Sequence, residues 1–246
     1  MSALALKIIA GTTMLADHIG FAYHIPLLRI IGRLSFPIFL HLIYNGYKHT
    51  KSPLRYALRL GFFAIVSQVP FSLFCYGIPW HNSGNVFFTL LAALLCIWAA
   101  DVMLKNKYLR WFFFLPALAV FSLYHFGIIH SDYGPKAILM AMVFFLFDGK
   151  KLWKMAATAV LFLIAVYYHP IVNYLLDLLR DPGSAQFLLT SWEKTQIYSA
   201  LALVPIFCYN GKKGSTPKNP ASAKTLQWGF YLFYPVHLLI LWAISL

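Results

Sequence analysis

The sequence predicts an all-α integral membrane protein: a polytopic bundle of about nine transmembrane helices in a single domain, residues 1–246, N-terminus cytoplasmic and C-terminus outside. Three observations carry this expectation. Of the 246 residues, 61% are hydrophobic and 11% charged, with a mean hydropathy of +0.69. A soluble domain has about 25% charged residues, so one soluble core cannot hide this much apolar surface. The apolar residues fall in continuous runs rather than alternating ten-residue segments, which selects helices over a β-barrel. The basic residues fall between those runs, in alternate loops.

A helix crosses the hydrocarbon core in about 20 residues. The runs lie at 4–23, 27–47, 55–76, 85–104, 111–129, 134–149, 152–169, 195–210 and 225–245. Four loops concentrate the positive charge: "KHTKSPLR" with Lys48, Lys51 and Arg55; "KNKYLR" with Lys105, Lys107 and Arg110; "GKKLWK" with Lys150, Lys151 and Lys154; and "NGKKGSTPKNPASAK" with Lys212, Lys213, Lys218 and Lys224. The loops between them are poor in Lys and Arg, Arg180 and Lys194 being the main exceptions. The positive-inside rule puts the four basic loops in the cytoplasm. The net charge of +13 follows from topology, and no nucleic-acid partner is expected. Cys75, Cys96 and Cys208 show no metal or disulfide spacing and read as packing residues. The first run lacks a cleavage site and reads as a retained span. The longest external segment, 170–194, contains "IVNYLLDLLRD", whose Val172, Leu175, Leu176 and Leu179 form one stripe of an interfacial amphipathic helix that "DPGS" breaks. It is a connector, or a lid over an external site.

Polar residues inside the apolar runs need partners, because Arg or Asp at a membrane centre costs about 2.5–3.5 kcal/mol on insertion scales. Asp17 and His18 lie on the first run, with His18 about 7–8 Å from its outer end. Arg33 on the second run lies at roughly 9 Å, and His237 on the last at roughly 12 Å. Similar depth allows one shared polar cavity in the outer half of the membrane. Asp17 can orient the His18 imidazole or pair with Arg33, since adjacent helical residues point about 100° apart. The alternative is a set of polar clamps between helices. His41, His125 and His169 read as interfacial or packing residues, and Asp101 pairs with Lys105 near a span end. Gly32, Ser35 and Gly46 allow close helix packing, and Pro37 kinks its helix.

Several stretches, in order along the chain, resemble the TraX family, named for the protein that acetylates the N-terminus of conjugative F-type pilin. They are "LKIIAGTTMLADHIG", "IGRLSFPIFLHLIYNGYKHT" with "YALRL", "NVFFTLL", "SDYG", "YNGKKG" and "FYLFYPVHLLIL". TraX proteins are similar in turn to a wider set of transmembrane acyltransferases, in one branch of which an Arg precedes a first-helix His by ten intervening residues. Here Lys7 stands in the place of that Arg, with ten residues between it and His18. Lys lacks the bidentate fork of Arg.

The resemblance implies an enzyme of the bacterial inner membrane, an acetyl-CoA-dependent acetyltransferase acting on a pilin N-terminus, an envelope glycan or a small molecule. The resemblance points to His18 as the reactive position, and the chemistry of the residues suggests His18 as general base or acyl carrier, Asp17 as its orienting partner, and Arg33 as stabiliser of the tetrahedral intermediate. Lys7, Lys48, Arg55, Arg59, Asn210, Lys212 and Lys213 are placed to receive the donor's phosphates. Asp132, Tyr133 and His237 line the acceptor side, and no metal is called for. Two other classes accommodate the same residues: a proton-coupled transporter, and a non-catalytic pilus assembly factor.

Overall fold

The computed structural model describes residues 1–181, 186, 187, 189–215 and 219–245. Among these, every regular element is helical, and the sole strand-like pairing is an isolated bridge between Gly84 and Ser131. The helices are α1 (Ala3–Ala22), α2 (Pro26–Gly32), α3 (Ser35–His49), α4 (Pro53–Val66), α5 (Gln68–Tyr76), α6 (Val86–Lys105) and α7 (Leu115–His125). They continue with α8 (Gly134–Leu146), α9 (Leu152–Val166), α10 (Tyr168–Arg180), α11 (Ser191–Gln196), α12 (Leu203–Phe207) and α13 (Pro220–Ser245). Short 3-10 turns stand at Arg110–Phe112 and Ile197–Ala202.

Four helical stretches are long and apolar enough to cross a bilayer: Ala3–Ala22, Pro26–His49, Val86–Lys105 and Lys224–Ser245. Two bent pairs raise the number to six if each is one span: α4 with α5, bent by 42°, and α9 with α10, bent by 66°. The remaining runs, 111–129, 134–149 and 195–210, fold as shorter helices. At 13 residues α8 is about 20 Å long, less than the hydrocarbon thickness of about 30 Å. Length alone therefore supports four to six crossings.

Local sequence sets most helix boundaries. The Ser2 and Ser52 hydroxyls cap α1 and α4, and the Asn85 side chain caps α6 through the Phe87 amide. Thr190 and Glu193 form a reciprocal capping box on α11. Pro37 does not kink its helix. It sits in the first turn of α3, where a missing N–H is harmless, and the chain breaks earlier, at the Arg33–Leu34 turn. Asp181 ends α10, while the rest of "DPGS", 182–184, and Lys218 lie outside the described residues.

One apolar core joins α1, α3, α4, α6, α8, α9 and α13, with Phe36, Leu40, Phe63, Leu94, Ile138 and Phe162 almost fully buried. Leu58, Phe62, Ile65, Val160 and Ile164 point outward. Apolar side chains on the outside of a bundle are what lipid, not water, accommodates.

Polar contacts gather the loops into two sets. The Met1 amine donates to Cys208 O, Asn45 to Tyr209, Tyr47 and Lys105 to Asp101, and Lys154 to Asp148 O, while Lys48 pairs with Asp148. These contacts draw the four basic loops to one end of the bundle. At the other end, Gln68 binds Ser83 O, Gly84 bonds His130 O, and Thr89 donates to Ser131.

Candidate functional site

The polar cluster is built where α1 meets α2 and α13. Asp17 and His18 are neighbours in sequence, and the helical turn of about 100° sends them to different partners. Asp17 faces α2. Its Oδ2 accepts from Arg29 Nη1 at 2.8 Å, and its Oδ1 pairs with Arg33 Nη2. Arg33 also donates from Nε to Arg29 O at 3.2 Å. Only 5% of the Arg33 side chain and 13% of the Asp17 side chain are exposed. A guanidinium buried this deeply needs its counter-ion, and one carboxylate serves two arginines. Gly32 makes this approach possible, because a Cβ placed there would lie on the Asp17 side chain, 2.6 Å from its Cα.

His18 faces α13. Its Nδ1 lies 2.7 Å from His237 Nε2, with the ring centres 4.9 Å apart and the ring planes 27° from parallel. His237 Nδ1 lies 2.6 Å from Phe233 O. Phe74 packs edge-on against the His18 ring at 5.5 Å, and Tyr234 is tilted against it. The partner of the His18 ring is therefore His237. Of the two arrangements open to Asp17 in the sequence, orienting that ring or pairing with Arg33, the second is the one present, and both its oxygens go to arginines. His237, assigned to the acceptor side, sits directly behind His18 and is 5% exposed.

A cavity of about 30 Å³ opens beside this cluster. Met14, Asp17 and His18 form one wall, Gly32, Ser35, Phe36 and Phe39 a second, and Val86, Asp132, Tyr133 and Tyr234 close it. One water needs about 10–15 Å³, so the space suits a water or a small reacting group. Asp132 and Tyr133 reach the cavity from the loop before α8, and Tyr133 stacks on Phe36 with ring centres 3.5 Å apart. Desolvation in the packed mouth pushes the Asp132 carboxyl up, to about 6, with Arg33 and Arg29 pulling it down and Asp17 adding to the rise. Asp132 as a residue keeps an exposed surface, and solvent tempers that rise. Among the described residues, no group of three His, Cys, Asp or Glu side chains is arranged to hold a metal ion.

The residues assigned to the donor's phosphates divide. Arg59 and Lys213 both lie close enough to Lys7 to repel its charge. Lys7 lies over the Phe230 ring, and Arg59 lies over Tyr56 and Tyr231 while donating to the Tyr231 hydroxyl at 3.1 Å. Among the described residues, no carboxylate forms an ion pair with Lys7, Arg59, Lys212 or Lys213. The Lys212 and Lys213 carbonyls accept from the Ala3 and Leu4 amides, and Asn210 bonds the Met1 carbonyl, which pins this loop to the start of α1. Arg55 is exposed one turn before Arg59. Lys48 stands apart, paired with Asp148.

Sequence reasoning missed four contributors. Arg29 precedes Arg33 by four residues, a spacing that was available as a signal. Phe74, Tyr234 and the Phe233 carbonyl carried none, because their roles come from helices far apart in the chain. A second cavity, of about 80 Å³, lies at the basic end between α3, α8 and α9, with the buried ring nitrogens of His41 on its wall.

The fold and cluster define a class: an all-helical protein of membrane-spanning composition, with a histidine pair and a doubly bound carboxylate buried between its first and last helices. The chain belongs to the TraX protein family, whose family model matches residues 2–245. It is also similar to a protein of Dichelobacter nodosus named "Probable fimbrial assembly protein FimC, serogroup H1", with 26% identity over 98% of this chain and 94% of the relative. No solved structure matches.

Proposed function

We propose that this protein is an acetyltransferase of the bacterial inner membrane. It takes acetyl-CoA on its basic end and acetylates an amine or hydroxyl presented at the opposite end: a pilin N-terminus, an envelope glycan or a small molecule. The carrying observation is His18, a half-buried imidazole held by a second imidazole at the edge of a water-sized cavity beside a buried arginine. A polar clamp between helices would not need that cavity. The nine crossings and the cytoplasmic N-terminus belong to the same proposal, and the gathering of the basic loops at one end supports them.

In this reading the acceptor nitrogen or oxygen attacks the acetyl carbonyl carbon. The new bond forms, the C–S bond breaks, and the proton lost by the acceptor passes to His18 and then to the departing thiolate. Arg33 Nη1, outside the hydrogen bonds to Asp17 and Arg29 O, stabilises the oxyanion of the tetrahedral intermediate. Asp17 keeps the guanidinium in place. Lys7, Arg59, Lys212 and Lys213 attract the donor's phosphates electrostatically. His18 serves equally as an acetyl carrier, in which case the imidazole takes and then gives up the acetyl group.

A non-catalytic assembly role is the second reading, and the name of the Dichelobacter nodosus relative favours it. Radiolabelled acetyl-CoA, membrane extract and purified protein in liposomes separate the two. Label transfer that is lost in His18→Ala, with folding retained, establishes the enzyme, and the labelled species identifies the acceptor. Binding of a pilin with neither hydrolysis nor transfer across a broad acceptor set would establish the assembly factor.

A further inference from the structure

The hydrogen-bond chain through the two histidines has a direction. Phe233 O is a carbonyl and can only accept, so the 2.6 Å contact requires a hydrogen on His237 Nδ1. A neutral imidazole carries one N–H, so His237 Nε2 is then a bare acceptor. It lies 2.7 Å from His18 Nδ1, which must supply the hydrogen between them. His18 Nε2 is left with its lone pair. A second proton on either ring would add a cation beside the Arg29 and Arg33 guanidiniums, which share the Asp17 carboxylate, with Asp132 the other acid on the cavity wall.

We infer that His237 is a positioning residue: it holds His18 in the Nδ1–H tautomer and makes Nε2 the nitrogen that receives the acceptor's proton. The ring packing serves the same end. His237 is stacked on Phe233 at 4.8 Å, and Phe74 meets the His18 ring at 77°, so neither imidazole turns without breaking aromatic contacts. The arrangement parallels a hydrolytic triad, with a neutral imidazole backed by a peptide carbonyl where a triad has its carboxylate. When His18 takes up a proton, its Nδ1–H bond to His237 strengthens, and the Phe233 carbonyl dipole stabilises the charge through the second ring. The task of Nε2 rests on the acetyl-transfer reading above, whereas the tautomers do not.

Nitrogen-15 NMR of histidine-labelled protein in detergent micelles tests the tautomers without any activity. Wild-type protein at neutral pH is expected to show protonated Nδ1 and bare Nε2 on both His18 and His237. In His237→Gln the carboxamide oxygen still accepts from His18, and the His18 tautomer persists. In His237→Phe the acceptor is gone, and His18 shifts toward protonated Nε2. The transfer rate, read as kcat, is expected to fall about 10–100-fold in His237→Phe, the range carried by groups that orient metal-bound histidines. The acetyl-CoA KM should stay within about twofold, and His237→Gln should restore most of the rate. Protonated Nε2 on wild-type His18 would overturn the inference, as would a His237→Phe protein with unchanged tautomer and kcat. The expected tautomers in a protein that transfers no acetyl group would uphold the positioning role and remove the acetyl-transfer reading instead.

Discussion

At the scale of the residue, the most expensive element of the site is the Asp17–Arg29–Arg33 clamp. Removing the charge of Asp17 leaves two guanidiniums without a counter-ion, one of them 5% exposed. Breaking one side of a buried pair costs about 3–5 kcal/mol. Asp17→Asn is therefore expected to lower the thermal unfolding midpoint in detergent markedly, whereas His18→Ala, which removes no counter-ion, should shift it far less. Gly32→Ala should resemble Asp17→Asn, since its methyl group would occupy the space of the Asp17 side chain. Equal midpoints for Gly32→Ala and wild type would show that α2 can move away from α1 at little cost. The pairing of Asp17 with Arg33 was one of two arrangements open in the sequence. His237 as the partner of His18 was not legible, because 219 positions separate the two residues.

At the scale of the element, α1 and α13 form the seam on which the reading depends. Lys7 and His18 are eleven positions apart on α1, or about 16 Å along the axis. Phe230 and His237 track them on α13, at Lys7 and His18 respectively. The basic end of the seam carries Arg59 on α4 and the pinned loop at Lys212 and Lys213. If that end receives the donor's phosphates, Arg59→Gln and Lys213→Gln should raise the acetyl-CoA KM about tenfold or more in combination and leave kcat near wild type. Lys48→Gln should change neither, because its charge is already engaged by Asp148. Steady-state kinetics at two ionic strengths checks both statements, since exposed charges lose their effect as salt rises. The break between α2 and α3 shows how an element can mislead. Pro37 advertises a kink, yet the turn falls at Arg33–Leu34, where it places Arg33 against Asp17.

At the scale of the whole molecule, the loops fall into two sets joined by hydrogen bonds and ion pairs. The basic set holds the ends of α3, α6 and α8 with the loop after α12. The other set holds the loops after α5 and α7, beside the polar cluster. In the nine-crossing topology these are the cytoplasmic and external surfaces. Single cysteines in a background with Cys75, Cys96 and Cys208 all replaced test this in intact cells with a membrane-impermeant thiol reagent. Cysteines at Lys107 and Lys150 are expected to react only after permeabilisation, and one at His24 or His81 before it. Labelling of Lys150→Cys and His81→Cys from the same side would exclude the topology.

The sequence alone determined the solvent this protein belongs in, the helical class and the grouping of its basic loops, because hydrophobic runs and loop charges act locally and additively along the chain. It also marked His18, Asp17 and Arg33, since an ionisable group in an apolar run is costly wherever the run ends up. Tertiary structure alone decided which of those groups touch. Hydrogen bonding at 2.7 Å depends on how α1 is rotated against α2 and α13, and that rotation is settled by packing across the whole core. Hence the carboxylate beside His18 in sequence serves two arginines, and the imidazole serves a histidine from the last helix.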